Sequence, residues 1–131
     1  MKIMLLDDDE ISLFLTRKIL QKQGFCGAIN EFVSAHKALL FLERFSDKDQ
    51  YPDLIILDVN MPLMNGFDFL DSLYQINPDF KNIKICILTS ASEHLELEAV
   101  KKYANIVEFI TKPMRYSNCE QLLVRYKLKN L

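Results

Sequence analysis

Four places along this 131-residue chain put a reactive side chain at the end of an apolar run. Asp7 and Asp8 follow KIMLL, with Asp9 and Glu10 directly behind them. Asp58 follows LIIL, Thr89 and Ser90 follow IKICIL, and Lys112 with Pro113 comes after IVEFI. Three carboxylates in one small space disfavour joint ionisation unless a cation sits among them. Oxygen ligands without His or Cys select a hard cation, and Mg²⁺ is the commonest choice. A lysine can pair with a carboxylate or with an incoming phosphoryl oxygen, and a threonine hydroxyl can hydrogen-bond the same oxygen. An aspartate can itself be a nucleophile and form an acyl phosphate. The set suits phosphoryl transfer, where positioning and charge neutralisation do most of the work.

Each residue alone has a plainer reading. Asp9 is an N-cap candidate, and Glu10 favours the first turn of a helix through its dipole. A lone Asp after a strand is a turn former, and Thr89-Ser90, Lys112-Pro113 or MPLMNG could each be an ordinary loop. His36 and His94 lie on helical segments as solvated side chains. The chemistry is carried by all four strand ends together.

The elements that must position these residues alternate regularly. Apolar runs at 2–6, 28–33, 54–57, 83–88 and 106–110 are rich in Ile, Leu and Val with little clean alternation, which suits parallel strands covered on both faces. Helical spacing falls between them. Ile11, Phe14, Leu15 and Ile19 mark an apolar stripe that stops at Gly24. Ala35, Ala38, Leu39 and Leu42 mark a second stripe behind Ser34 as N-cap. Phe69, Leu70, Leu73 and Ile76 mark a third, and Cys119, Leu122, Leu123 and Tyr126 the last. Residues 92–103 read as one more helix, with Leu97, Val100 and Ala104 on its face. SDKDQYPD and NPDFKN read as polar connections. Five βα units predict an α/β fold: a doubly wound, five-stranded parallel sheet with helices on both faces. In such sheets, sites form beyond the carboxyl ends of the strands near a topological switch point. The groups named above converge there if the first, third, fourth and fifth strands lie side by side.

The totals bound the function. Half the residues are hydrophobic, and Gly and Pro number 3 and 4, so the chain can build one core and is not low-complexity. A formal charge of −2 offers no basic surface for nucleic acid. No run is long enough to span a membrane, and the N-terminus does not read as a signal peptide. Cys26, Cys86 and Cys119 are odd in number and lack metal-ligand spacing, which suits a reducing cytoplasm.

The motifs LLDDDE, LIILDVNMPLMNG, ILTS and TKP, in this order and spacing, resemble the receiver domain of two-component response regulators, a flavodoxin-like (βα)5 fold. The resemblance covers nearly the whole chain and implies a stand-alone receiver over residues 1–131, with no output domain and no turnover on an external substrate. It implies that Asp7 and Asp8 hold Mg²⁺ together with Asp58 and the Asn60 backbone carbonyl. It makes Asp58 the phosphoacceptor, Thr89 the switch hydroxyl, Lys112 the phosphoryl contact and Phe109 the switch aromatic. Pro62 and Gly66 match the turn after the phosphoacceptor. In such receivers the side chains two residues beyond the acceptor and beyond the switch hydroxyl, here Asn60 and Ala91, shape water access; Ala91 offers nothing to orient a water, which implies a slowly hydrolysed acyl phosphate. The implied partners are a histidine kinase or histidine phosphotransfer protein, and a downstream protein or a second copy. The output face is expected on residues 92–103, the fifth strand and the last helix.

Two rivals remain at this point. Asp7-x-Asp9 after an apolar strand resembles the nucleophile motif of haloacid-dehalogenase-type phosphatases, although that superfamily's terminal acidic motif is missing. A degenerate receiver could bind partners without phosphorylation, although no motif residue is lost. A dinucleotide site is excluded by the lack of a Gly-rich turn after the first strand.

Overall fold

The computed structural model describes residues 1–90, 98 and 101–128. Strands β1 (Lys2–Leu6), β2 (Ala28–Phe32), β3 (Leu54–Leu57), β4 (Lys84–Thr89) and β5 (Ile106–Thr111) form one sheet of order β2-β1-β3-β4-β5. Every pairing is parallel. Helices α1 (Glu10–Lys22), α2 (Ala35–Glu43), α3 (Gly66–Ile76) and a C-terminal helix (Tyr116–Arg125) cover it. The order reverses between β1 and β3, so the switch point lies where Asp7 and Asp58 leave the sheet.

The sheet explains why its strands read as continuous apolar runs. Met4, Leu6, Ile55, Leu57, Ile85 and Ile87 pack towards α2 and α3. Ile3, Leu5, Leu54, Ile56, Cys86 and Leu88 pack towards α1 and the C-terminal helix. Side chains alternate between faces, and both faces are buried along the middle of the sheet, so the inner residues of the central strands are apolar on both. Edge strand β2 is only partly covered, which accommodates Asn30 and Glu31.

A register shift in β5 aims one side chain of consequence. Ile85 pairs with Ile106, but Cys86 pairs with Glu108, so Val107 is an extra residue. Strict alternation from Ile106 would place Phe109 on the opposite face. The added residue restores Phe109 to the face of Ile106, where it packs against the α2–α3 cluster.

Local signals set the helix limits. Asp9 caps α1 by accepting from the Ile11 and Ser12 N–H groups. At its far end Gly24 takes φ 95°. The Phe25 N–H donates to the Leu20 carbonyl and the Gly24 N–H to that of Gln21, a Schellman pair closed by buried Phe25 and Leu20. Ser34 caps α2. Asn65 and Asp68 form a reciprocal capping box on α3.

Several expectations are corrected. Helix α1 exists, but its buried face is Leu13, Thr16 and Leu20, while Ile11, Phe14 and Leu15 are exposed. The chain leaves β1 through a tight turn at 7–9, and that turn fixes the rotational phase of the helix. The two connections are also more than polar links. Each contains a 3₁₀ turn, Lys48–Gln50 and Pro78–Asn82, and Tyr51 and Phe80 are buried as an edge-to-face pair with centroids 4.8 Å apart. Ile76 lies at the exposed end of α3. Strands β4 and β5 each run one residue further than expected, so Thr89 is the last residue of β4. The helix expected at 92–103 falls largely outside the described residues, as do His94 and Ala91; residues 98, 101 and 102 are helical. Among the described residues no helix is long and apolar enough to cross a membrane.

Candidate functional site at the strand ends

The sheet's hydrogen-bond pattern continues beyond its strands and fixes the site's backbone. The Asp7 N–H donates to the Phe32 carbonyl at 3.0 Å and the Asp58 N–H to Leu6 at 2.9 Å. The Lys112 N–H donates to Thr89 at 3.0 Å. Three of the predicted residues are therefore held in place by groups the sheet would otherwise leave unpaired.

Their side chains use that placement in parallel ways. Asp7 Oδ1 accepts from the Asp9 N–H at 2.9 Å, and Asp58 Oδ1 accepts from the Asn60 N–H at 3.1 Å. These are Asx turns, in which a carboxylate binds the backbone two residues on. Each turn occupies one oxygen and leaves the other facing inward. Lys112 Nζ lies 2.7 Å from Asp7 Oδ2 and 3.3 Å from Asp58 Oδ2. Asp7 and Asp58 are each 5% exposed, and Asp8 is exposed. One oxygen from each of Asp7, Asp8 and Asp58 falls within 4.8 Å of the others.

Burial, and then the charge of Asp7, push the Asp58 carboxyl above its ordinary pKa, while Lys112 and the Asn60 N–H act against them. Burial acts to lower the Lys112 pKa, but the hydrogen bond to Asp7 and the charges of Asp7 and Asp58 outweigh it and raise it. One ammonium pairs with two of the three carboxylates. The remaining negative charge and the oxygen-only donor set fit a hard divalent cation.

The surroundings complete the geometry. Thr89 is buried, and its Oγ1 accepts from Asn60 Nδ2 at 3.4 Å. That contact was not read from the sequence. A Cβ on Gly66 would come within 2.8 Å of the Asp58 carbonyl oxygen, so the turn after Asp58 closes only with glycine there. Leu63, in the same turn, takes φ 70° with its side chain wholly in solvent. The Lys112–Pro113 peptide is cis. Phe109 is half-buried on the α2–α3 side of the sheet. The structure thus brings Asp7, Asp8, Asp58 and Lys112 together, with Thr89 joined through Asn60.

Comparison with known proteins places the chain in a family. A sequence profile of the response regulator receiver domain matches residues 3–124. The hybrid signal transduction histidine kinase C of Dictyostelium discoideum is 31% identical over 95% of this chain, and the chain spans 10% of that protein's length. The chemotaxis protein CheY of Thermotoga maritima is 28% identical, over 93% of each chain. A two-component response regulator from Cytophaga hutchinsonii superposes with TM-score 0.85 over 96% of each chain at 24% identity, a likeness of fold. One from Legionella pneumophila does so with TM-score 0.81 at 28% identity, over 96% of this chain and 97% of that one. With a doubly wound sheet of the same shape and a profile match over nearly its whole length, the chain belongs to the response regulator receiver domain family of two-component signalling.

Proposed function

We propose that this chain is a phosphorylation switch in which Asp58 accepts a phosphoryl group from a phosphohistidine donor. Receiver domains are signalling domains that work with histidine kinases, and the family binds Mg²⁺ at its acidic pocket. The observation that carries the proposal is the two-sided holding of Asp58. Oδ1 is occupied by the Asn60 N–H, and Oδ2 faces Lys112 across 3.3 Å in a buried setting. One oxygen is thereby oriented for in-line attack on phosphorus, with a cation beside the charge that arrives. The Asp58–phosphorus bond forms as the phosphorus–nitrogen bond breaks, and the donor histidine leaves with the electron pair.

Asp7, Asp8, Asp58 and the Asn60 carbonyl would hold the Mg²⁺, which supplies neutralising charge for the phosphoryl oxygens. Lys112 is drawn from Asp7 towards the added oxygens. Thr89 gives up its contact with Asn60 and donates its hydroxyl to the phosphoryl group. Its inward movement frees space for Phe109, whose ring has no polar group to desolvate and gains from burial. The output face is then the surface of residues 92–103, β5 and the C-terminal helix, read by a partner protein or a second copy with differential affinity for the two shapes. The exposed apolar stripe of Ile11, Phe14 and Leu15 lies on the helix that begins beside Asp7 and Asp8, and suits docking of the donor. Asp7 is the weaker nucleophile candidate, because Lys112 ties up its second oxygen more closely, at 2.7 Å against 3.3 Å for Asp58. Incubation with a phosphohistidine donor and Mg²⁺ should label the chain, and Asp58→Asn should abolish incorporation. Equal labelling of Asp58→Asn would remove the proposal.

A further inference from the structure

Away from the acidic cluster, Tyr103 joins two elements that no backbone ladder connects. It is 5% exposed, and its ring lies parallel to that of Phe67 with centroids 5.5 Å apart. Its hydroxyl donates to Asp71 Oδ1 at 2.8 Å. One turn further along α3, the Tyr74 hydroxyl donates to Asn105 Oδ1 at 2.7 Å, and Asn105 Nδ2 donates to the Ile83 carbonyl at 2.7 Å. Residues 103–105, directly ahead of β5, are thus tied to α3 and to the entrance of β4.

Both ends of this connection lead to the phosphoacceptor site. Helix α3 starts where the Asp58 loop ends, and the Gly66 N–H donates to the Val59 carbonyl at 3.0 Å. Strand β5 carries Phe109, which shares an apolar cluster with Phe67 and Tyr103. An inward shift of Phe109 requires this cluster to yield. Stacking alone tolerates sliding, whereas a short hydrogen bond to a carboxylate is directional and stronger than a neutral one.

We propose that the Tyr103–Asp71 hydrogen bond is a latch that holds the entrance of β5 against α3 and opposes the Phe109 shift. The opposition rests on the phosphorylation switch described above; the latch itself does not. Releasing the latch lowers the cost of switching, and by linkage tightens binding of anything that favours the switched form.

Tyr103→Phe keeps the ring stack and deletes the hydroxyl, while Asp71→Ala deletes the acceptor together with its ion pair to Lys102 at 3.6 Å. Native-state amide exchange of residues 103–106, measured on the whole chain without any phosphoryl mimic, should rise about tenfold in each variant. The double variant should show no rise beyond that of Asp71→Ala, since that change already removes the hydroxyl's bond. With Mg²⁺, the apparent affinity for beryllofluoride, a phosphoryl mimic, should tighten about three- to tenfold in Tyr103→Phe. Unchanged exchange, or additive effects in the double variant, would overturn the latch. Unchanged or weakened beryllofluoride affinity would overturn its opposition to switching. If the unsubstituted protein fails to bind beryllofluoride, the phosphorylation reading fails and takes the coupling with it, while the exchange rates still judge the latch.

Discussion

Asp8→Asn should change the sign of its effect on stability when Mg²⁺ is added. Asp8 is exposed and makes no contact with Lys112, yet one of its oxygens falls within 4.8 Å of oxygens of Asp7 and Asp58. At that separation each like-charge pair costs about 0.9 kcal/mol in a water-like dielectric. Attraction to nearby Lys112 and screening by salt offset part of the two pairs, leaving a net repulsion of about 1 kcal/mol or less. Without metal, the asparagine variant should therefore be the more stable by up to about 1 kcal/mol. Saturating Mg²⁺ should stabilise the unsubstituted chain by roughly 1–3 kcal/mol through mass action, and the variant by much less. The two urea unfolding curves should exchange order between EDTA and saturating MgCl₂, with m-values unchanged. A variant that is less stable in EDTA would show that the cluster is not repulsive. A variant that gains as much from Mg²⁺ as the unsubstituted chain would show that Asp8 is no ligand.

Lys112→Met leaves Asp7 and Asp58 buried without their cation and should cost about 3 kcal/mol in EDTA, partly recovered by Mg²⁺; no loss in urea unfolding would contradict the pairing. Two changes in the turn after Asp58 should act in opposite directions. Leu63→Gly removes left-handed strain from a side chain that packs on nothing and should stabilise by about 0.5 kcal/mol, whereas Gly66→Ala should lose more than about 1 kcal/mol despite its gain in helix propensity. Thermal unfolding of the pair checks both signs. Burial pushes the Tyr74 phenol up to about 12. Because the folded value exceeds the ordinary value of 10.0, its contribution is complete below pH 10.0 and is lost as pH rises through about 12. Absorbance titration should show a late-ionising phenol that Tyr74→Phe removes, and an unchanged titration would contradict the assignment.

The sequence exposed those parts of the molecule whose physics is local. Asp7, Asp58, Thr89 and Lys112 were legible because each stands at a carboxyl end of a strand, and the sheet carries its hydrogen-bond pattern one step further to hold them. Caps at Asp9 and Ser34 were legible because short oxygen-bearing side chains there have one dominant use. The face of α1 was not. Ile11, Phe14 and Leu15 have helical spacing, but helix rotation is set by the turn leaving β1, and polar Thr16 sits in the stripe that is buried. Nor was the aim of Phe109, since IVEFI reads as an uninterrupted strand and the extra residue at Val107 emerges only from pairing with β4. Tyr51 and Phe80 were hidden among polar neighbours, yet each fills core space by a single ring. The Asn60–Thr89 contact joins residues 29 positions apart and has no local signature.

The account stands most directly on the identity of the phosphorylated residue. The chain should be phosphorylated with a phosphohistidine donor and Mg²⁺, the acyl phosphate reduced with borohydride, and the modified residue located by peptide mapping. Homoserine should appear at position 58 and nowhere else. Homoserine at position 7, or no modification in a chain that binds Mg²⁺ normally, would contradict the assignment of Asp58 as the phosphoacceptor.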